Sequence, residues 1–370
     1  MRLLTASLLF FLFLFVSIGA NAKILFTSEV PGFDITDPTD GIYVMEDDGS
    51  NVIPLINHGR AWAPKWAPDD KSIVFAIGAS LRLMNADGTN IRRITVPPKN
   101  AGDFYPAYSP DGKSIVFKRL VSIPGEPHEH SLNVLNLKTG KIKEIADVHG
   151  VSPDWSPDGK YIVCGGAINV DGLGSSIWIM NANGSNLRKI IPSQRVGNSI
   201  LSVSRPRWSP DSQKIVYATM KYHWRNIAPD VDALIREEFR YIICDKNGNT
   251  LKTLNIPKDF EHGTLAWMDN GKSIVFGARK YPINEPPPPL EQYPVMNIYT
   301  YHIQSGKLTQ LTDTERNESG VDWISDDVLS VSPKGKMQTQ WGAIKKFLQS
   351  RSEAFKSLSQ DVLYFLRNEH

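Results

Sequence analysis

The chain has 370 residues, with 41 Lys and Arg against 39 Asp and Glu, a formal net charge of +2. A balance this even excludes the concentrated basic footprint of a nucleic-acid binder. Two cysteines, Cys164 and Cys244, are too few for a disulfide framework and do not make a zinc site.

Residues 1–22 stand apart from the rest. Arg2 precedes an uncharged apolar run over 3–18, and Ala20-Asn21-Ala22 places small residues where signal peptidase reads them. The run is short for a span of about 20 residues. A cleaved signal peptide is therefore expected, with cleavage after Ala22, a mature chain starting at Lys23, a periplasmic or secreted location, and no transmembrane span after cleavage. No Cys lies near the junction to carry a lipid. Without Arg2 the mature chain holds 40 basic and 39 acidic residues, a net charge of +1.

Three strands are predicted next, over 24–28, 42–46 and 52–56. Then one phrase recurs five times: PKWAPDDKSIVF from Pro64, PAYSPDGKSIVF from Pro106, PDWSPDGKYIVC from Pro153, PRWSPDSQKIVY from Pro206 and LAWMDNGKSIVF from Leu265. A degenerate sixth copy, VDWISDDVLSV, starts at Val321. Self-similarity at this period marks units that bury their apolar faces only by stacking on copies of themselves.

The second copy predicts how one unit folds. A strand over 105–109 meets Ser109-Pro110-Asp111-Gly112, the residue order of a type I turn, and a strand over 113–117 returns. Its Ile115-Val116-Phe117 run is continuously apolar, as expected where both sheet faces are covered. Strands over 131–137 and 141–145 follow, joined by Lys138-Thr139-Gly140. Four-stranded antiparallel meanders repeated about an axis make a β-propeller. The three strands at the N-terminus lack a first strand, and Val321 begins an orphan one. Five full blades and one composite make six, in an all-β ring closed by both chain ends.

The phrase W-S-P-D-G-K-x-I-V-F with a downstream M-N-A-D-G turn resembles the TolB-type propeller repeat of bacterial envelope proteins, a WD40-like repeat also called PD40. The resemblance covers residues 23–336. It implies a binding or assembly role in the envelope, although similar blades also occur beside peptidase domains and in polysaccharide-cleaving enzymes. TolB itself carries an α/β domain before its propeller; here the first strand follows the expected cleavage site directly, so a role as that Tol component is not expected. No Gly-x-Ser-x-Gly elbow is present.

The recurring Trp66, Tyr108, Trp155, Trp208, Trp267 and Trp323 are expected to pack between blades. Spacings between them run 42, 47, 53, 59 and 56. The growth falls between second and third strands, over 118–130, 165–176, 218–240 and 277–296. In a meander those connections share one face with the links between blades, so the long insertions build up one rim of the ring, where binding is expected. Basic residues stand at the strand exits onto this face: Lys118 and Arg119, Lys221, and Arg279 with Lys280. Arg205 adds to them near the channel, and Tyr222, His223, Trp224 and Tyr281 lie beside them. These ten residues are the candidate ligand-binding set, for an envelope protein or an anionic glycan. The alternative is a hydrolase or lyase acting on anionic polysaccharide, with His128, His130 or His223 moving protons or holding a metal.

Metal signals are weak. His128-Glu129-His130 lacks a third ligand, and Asp34, Asp37 and Asp40 lack the spacing of a calcium loop. No cofactor motif and no catalytic constellation is present. Cys164 and Cys244 hold positions that are Phe, Tyr or Met in other copies, so two buried apolar fillers are expected; a disulfide is the alternative in an exported chain. Over 341–367 the apolar residues Ile344, Phe347, Leu348, Phe355, Leu358, Val362, Phe365 and Leu366 fall at helical spacing, which predicts an amphipathic helix within a separate segment, 337–370.

Overall fold

A computed structural model describes residues 23–31, 37, 39–57, 61–123, 125, 128–148, 151–166, 174–228, 231–289 and 292–325. The expected leader over 1–22 and the expected helix within 337–370 both lie outside the described residues. Blade one takes β1 (Lys23–Glu29), β2 (Gly41–Glu46) and β3 (Ile53–Asn57), and blade two takes β4 (Ala61–Trp66), β5 (Ser72–Ile77), β6 (Ser80–Asn85) and β7 (Arg92–Arg93). Blade three is β8 (Ala101–Tyr108), β9 (Ser114–Val121), β10 (Glu129–Asn136) and β11 (Ile142–Ala146); blade four is β12 (Val151–Trp155), β13 (Tyr161–Gly166), β14 (Ser176–Asn181) and β15 (Arg188–Ile191). Blade five has a fifth strand: β16 (Gln194–Val196), β17 (Ser199–Trp208), β18 (Lys214–Ala228), β19 (Val231–Asp245) and β20 (Thr250–Thr253). Blade six is β21 (Phe260–Met268), β22 (Ser273–Lys280), β23 (Asn297–His302) and β24 (Leu308–Gln310), and β25 (Asn317–Ile324) ends the series.

Ring closure is direct. β25 pairs antiparallel with β1, setting Trp323 opposite Ile24 and Asp322 opposite Leu25, so that blade one is the sheet β25-β1-β2-β3. The first strand of that blade thus comes from the far end of the chain, and the edge of β1 is covered. The six-bladed, all-β architecture is as the repeat spacing predicts, with β25 beginning four residues before Val321.

Six apolar clusters fill the six gaps between neighbouring blades. The repeated apolar run supplies them by alternation. Ile73 and Phe75 enter the gap before blade two, and Val74 the gap after it; Ile115 and Phe117 against Val116 do the same in blade three. Successive strand residues point to opposite faces, and here both faces are covered, so three consecutive apolar residues feed two cores. Each recurring aromatic belongs to a different gap, Trp66 to the first and Trp208 to that between blades four and five. Cys164 stands where Phe75 and Phe117 stand and faces blade three, while Cys244 faces blade four from the other side. Both thiols are free and buried, and burial pushes each up to about 12. The filler reading fits this placement, and no disulfide joins them.

The turns work as the Ser-Pro-Asp-Gly order requires. The Ser109 hydroxyl donates to Asp111 at 2.7 Å and accepts the Ser114 amide at 2.9 Å, while Gly112 takes a φ of 69°. Ser156 and Ser209 repeat the arrangement. These aspartates are turn residues.

One expectation about the insertions needs correcting. In blade five the segment after the second strand is almost entirely strand, with β18 continuing to Ala228 and β19 resuming at Val231, whereas in blades three and six β9 continues only to Val121 and β22 to Lys280 before a loop. Extending the hairpin pairs backbone groups that a loop would leave to water. Among the described residues no helix is long and apolar enough to cross a membrane.

Candidate binding face and central channel

Links between blades and second-to-third connections share one face of the ring, and β18 and β19 dominate it. β17 stops pairing with β18 at Tyr222, opposite Ile200, yet β18 and β19 continue as a two-stranded ribbon through Trp224 opposite Leu234 to Ala228 opposite Val231. The six residues beyond Tyr222 carry the ribbon roughly 20 Å past the sheet at about 3.4 Å per residue. At its tip Trp224 is 62% exposed, Ile227 45% and Val231 47%.

The structure brings the predicted basic residues onto strands and gives three of them carboxylate partners. Arg119 grips Asp103 with two hydrogen bonds of 2.7 and 2.9 Å. Lys221 reaches Glu237 at 2.5 Å, and the His223 ring bonds the same carboxylate at 2.8 Å, as does the Ser199 hydroxyl. Burial alone would raise the Glu237 carboxyl, but these hydrogen bonds outweigh it and bring it down to about 2. Arg279 pairs with Glu261 at 3.2 Å, donates to the Pro294 carbonyl at 3.3 Å and lies over the Tyr293 ring.

Tyr281, expected as a stacking surface, is buried instead. Arg236 covers its ring and donates to its hydroxyl at 2.6 Å. Tyr222 is half-buried, with its hydroxyl close against Gly174. Lys118, half-buried, and Lys280, exposed, stand on the same face. Burial pushes the Lys118 amine down. The acidic partners Asp103, Glu237 and Glu261 escaped the sequence reading. Glu237 falls at a break in register, between Glu238 opposite Lys221 and Arg236 opposite Tyr222, so strand pairing alone does not announce its contact with Lys221.

Nearer the axis the chain uses charge to join blades. The Asp322 carboxylate accepts Lys65 at 2.9 Å and the Trp66 amide at 2.8 Å, while Asp154 accepts the Trp208 amide at 2.8 Å. Each aspartate thus ties its own inner strand to that of the following blade. Arg207 donates to the Ser152 carbonyl at 3.0 Å, and its own carbonyl accepts the Trp267 indole at 3.0 Å. Burial pushes Lys65 down and Asp154 up. The neck between these strands is about 20 Å³, lined by Ala63, Tyr105, Ser152, Thr264 and Gly320 among others. That volume accommodates about one water.

The metal candidates stand in second-to-third connections on this same face: His128 between β9 and β10, His130 at the start of β10, and Asp37 and Asp40 between β1 and β2. The His128 ring bonds the Ser122 hydroxyl at 2.6 Å and meets His130 edge to ring, and among the described residues no three His, Cys, Asp or Glu side chains converge as a metal site would need. Asp40 accepts Arg316 at 2.7 Å and Asp37 bonds Thr39, whereas Asp34 lies outside the described residues. A cleft of about 400 Å³ opens on the opposite, turn-bearing face between blades two and three, beside Asp69, Arg92, Tyr108 and Asp111.

The fold and this face define a class, the six-bladed propeller with TolB-like blades. No family model matches the chain. An uncharacterized protein of Agrobacterium fabrum is 30% identical over 241 residues, 61% of this chain and 66% of that protein. An uncharacterized peptidase of Bacillus subtilis is 24% identical over 202 residues, 47% of this chain and 29% of its own length. The chain therefore spans less than two thirds of either relative. Among solved structures, TolB from Acinetobacter baumannii superposes with a TM-score of 0.58 at 17% identity, over 82% of this chain and 66% of that one. The likeness at that identity is one of fold.

Proposed function

We propose that this protein is an exported binding module of the bacterial envelope, and that the face carrying the β18–β19 ribbon docks a protein partner. The observation that carries this reading is the ribbon tip, where Trp224, Ile227 and Val231 hold apolar surface far out in solvent. Aromatic anchors of this kind dominate protein interfaces. A polyanionic glycan is the weaker reading, because Arg119, Lys221 and Arg279 already hold carboxylates. In the docked state Trp224 is the anchor, Tyr222, His223 and Lys221 form the ribbon's flank, and Lys118 and Lys280 supply rim charge. For export the reading rests on the sequence over 1–22, whose Arg2, apolar run and Ala20-Asn21-Ala22 match the pattern of a cleaved leader; on that reading the module acts in the periplasm or outside the cell.

The test compares pull-downs from the envelope extract of the producing cells. Mature wild type is set beside a Trp224→Ser, Ile227→Ser, Val231→Ser triple variant and a turn-face control, Lys113→Glu. A partner identified by mass spectrometry, retained by wild type and control and lost from the triple variant, is expected. Equal retention by all three proteins contradicts the ribbon assignment.

A further inference from the structure

The gap between blades two and three departs from the repeat at three places, and the three meet in the cleft of about 400 Å³ on the turn-bearing face. The first is Ala67. In the next three copies that position is Ser109, Ser156 or Ser209, whose hydroxyl donates to the turn aspartate two residues on, at 2.7, 2.7 and 2.5 Å. A lysine amine also reaches each of those aspartates, from Lys113, Lys160 and Lys214 in turn. Asp69, their counterpart, has neither the hydroxyl nor the amine. Its one hydrogen bond among the described residues comes from the Lys71 amide at 3.2 Å.

The second is Tyr108, which stands where the other five copies carry Trp. The smaller ring leaves room in the gap, and its hydroxyl meets the Ser72 hydroxyl of the facing blade at 3.0 Å, both residues lining the cleft. The third is Arg92. Its counterpart in blade four, Arg188, donates to the Lys246 carbonyl and the Asn247 side chain in the third-to-fourth turn of blade five, at 3.1 and 3.3 Å. Arg92 is exposed and makes no such bond and no ion pair among the described residues; Leu137, from the corresponding turn of blade three, lines the cleft with it. A carboxylate and a guanidinium therefore share one cleft, and neither has an ion-pair partner. The other acid in the lining, Asp111, is already held by Ser109 and Lys113.

We propose that this cleft binds a small zwitterion with an apolar side chain, an amino acid or a short peptide, whose ammonium is taken by Asp69 and whose carboxylate is taken by Arg92. Charge-assisted hydrogen bonds are the strong ones, and the planar guanidinium fork suits a carboxylate. Burial pushes the Tyr108 hydroxyl up to about 12, so it stays neutral and, with Ser72, offers donors and acceptors without a further charge. Pro68, Leu83, Pro110 and Leu137 give the ligand's side chain an apolar wall. The volume falls within the about 300–1,000 Å³ of small-molecule sites. The site lies on the face opposite the ribbon and does not depend on a partner docking there.

Isothermal titration calorimetry of the mature protein tests this, with L-leucine and L-leucyl-L-leucine as probes. The controls are N-acetyl-L-leucine, which lacks the ammonium, and L-leucinamide, which lacks the carboxylate. At least one zwitterion is expected to bind saturably with Kd below about 10 mM, and each control to bind roughly tenfold more weakly or not at all. Tighter binding of the dipeptide assigns the cleft to short peptides and tighter binding of leucine to free amino acids; both affirm the site. Asp69→Asn should remove the preference over N-acetyl-L-leucine, and Arg92→Gln the preference over L-leucinamide. Both side chains are exposed, so both variants should keep the fold, which near-ultraviolet circular dichroism checks. Absence of saturable binding by both zwitterions, equal binding of zwitterions and controls, or an unchanged preference in either charge variant overturns the proposal.

Discussion

At Asp70 the first repeat departs from its own pattern. Copies two and three place Gly112 and Gly159 at this turn position with φ of 69° and 72°; Asp70 takes a φ of 61° with a side chain attached, and is buried. Burial first, then the neighbouring Asp69, lifts its carboxyl to about 6. Asp70→Gly should stabilise the protein by roughly 1 kcal/mol at pH 8, because glycine adopts this backbone without strain and no carboxylate remains to be desolvated. The folded-state pKa is raised, so the folded protein takes up the proton first. Wild type therefore gains on the variant as pH falls from about 6 towards 3.8, and urea melts at pH 8 and pH 4 should show the gap narrowing.

Glu237 has the opposite sign. Its folded value of about 2 lies below the ordinary 4.5, so its contribution is complete above 4.5 and disappears as pH falls through 2. Glu237→Gln should be less stable at pH 7 and should show a shallower loss between pH 4.5 and 2. Acid titration of the melting midpoint checks both.

Among the elements, the ribbon decides how substitutions behave. Trp224→Ser alters a side chain that is mostly in water and should shift stability by no more than about 0.5 kcal/mol. Lys221→Glu, three positions before Trp224, sets a second carboxylate against Glu237 and should destabilise by about 1–3 kcal/mol. Thermal melts of the two variants side by side test whether the ribbon separates a binding tip from a structural base. The same contrast shows what sequence makes legible. The apolar run Ile-Val-Phe and the Ser-Pro-Asp-Gly turn announce themselves because packing on two faces and a left-handed turn residue each restrict residue choice. Lys221, Tyr281 and Arg279 look alike as basic or aromatic residues at a strand exit. Whether each meets solvent or a partner depends on Glu237, Arg236 and Glu261, which reach them only through hairpin register and blade contact.

For the whole molecule, closure by both chain ends couples every blade to every other. Asp322 is the clearest single joint, since it holds both Lys65 and the Trp66 amide across the gap between blades one and two. Asp322→Ala should leave a buried lysine and a buried amide unmatched and lower stability by about 3 kcal/mol or more. Ending the chain at residue 316 removes β25 altogether and should lower the melting midpoint of the entire ring in one transition, as far-ultraviolet circular dichroism would record. The number of blades was legible from spacing alone, because a strand missing at one end and spare at the other has one economical solution. The charged joints at Asp154 and Asp322 were not, because the same place holds Lys65, Ala107, Arg207 or Ala266 in other copies and its charge acquires meaning only against the neighbouring blade.

The most direct measurement is site-specific photo-crosslinking in the cells that produce the protein, with a benzophenone amino acid at position 224 on the ribbon or at position 113 on the turn face. The account predicts a discrete higher-mass adduct of one identity from position 224 and none from position 113. Adducts from position 113 alone, or the same set from both positions, would contradict it.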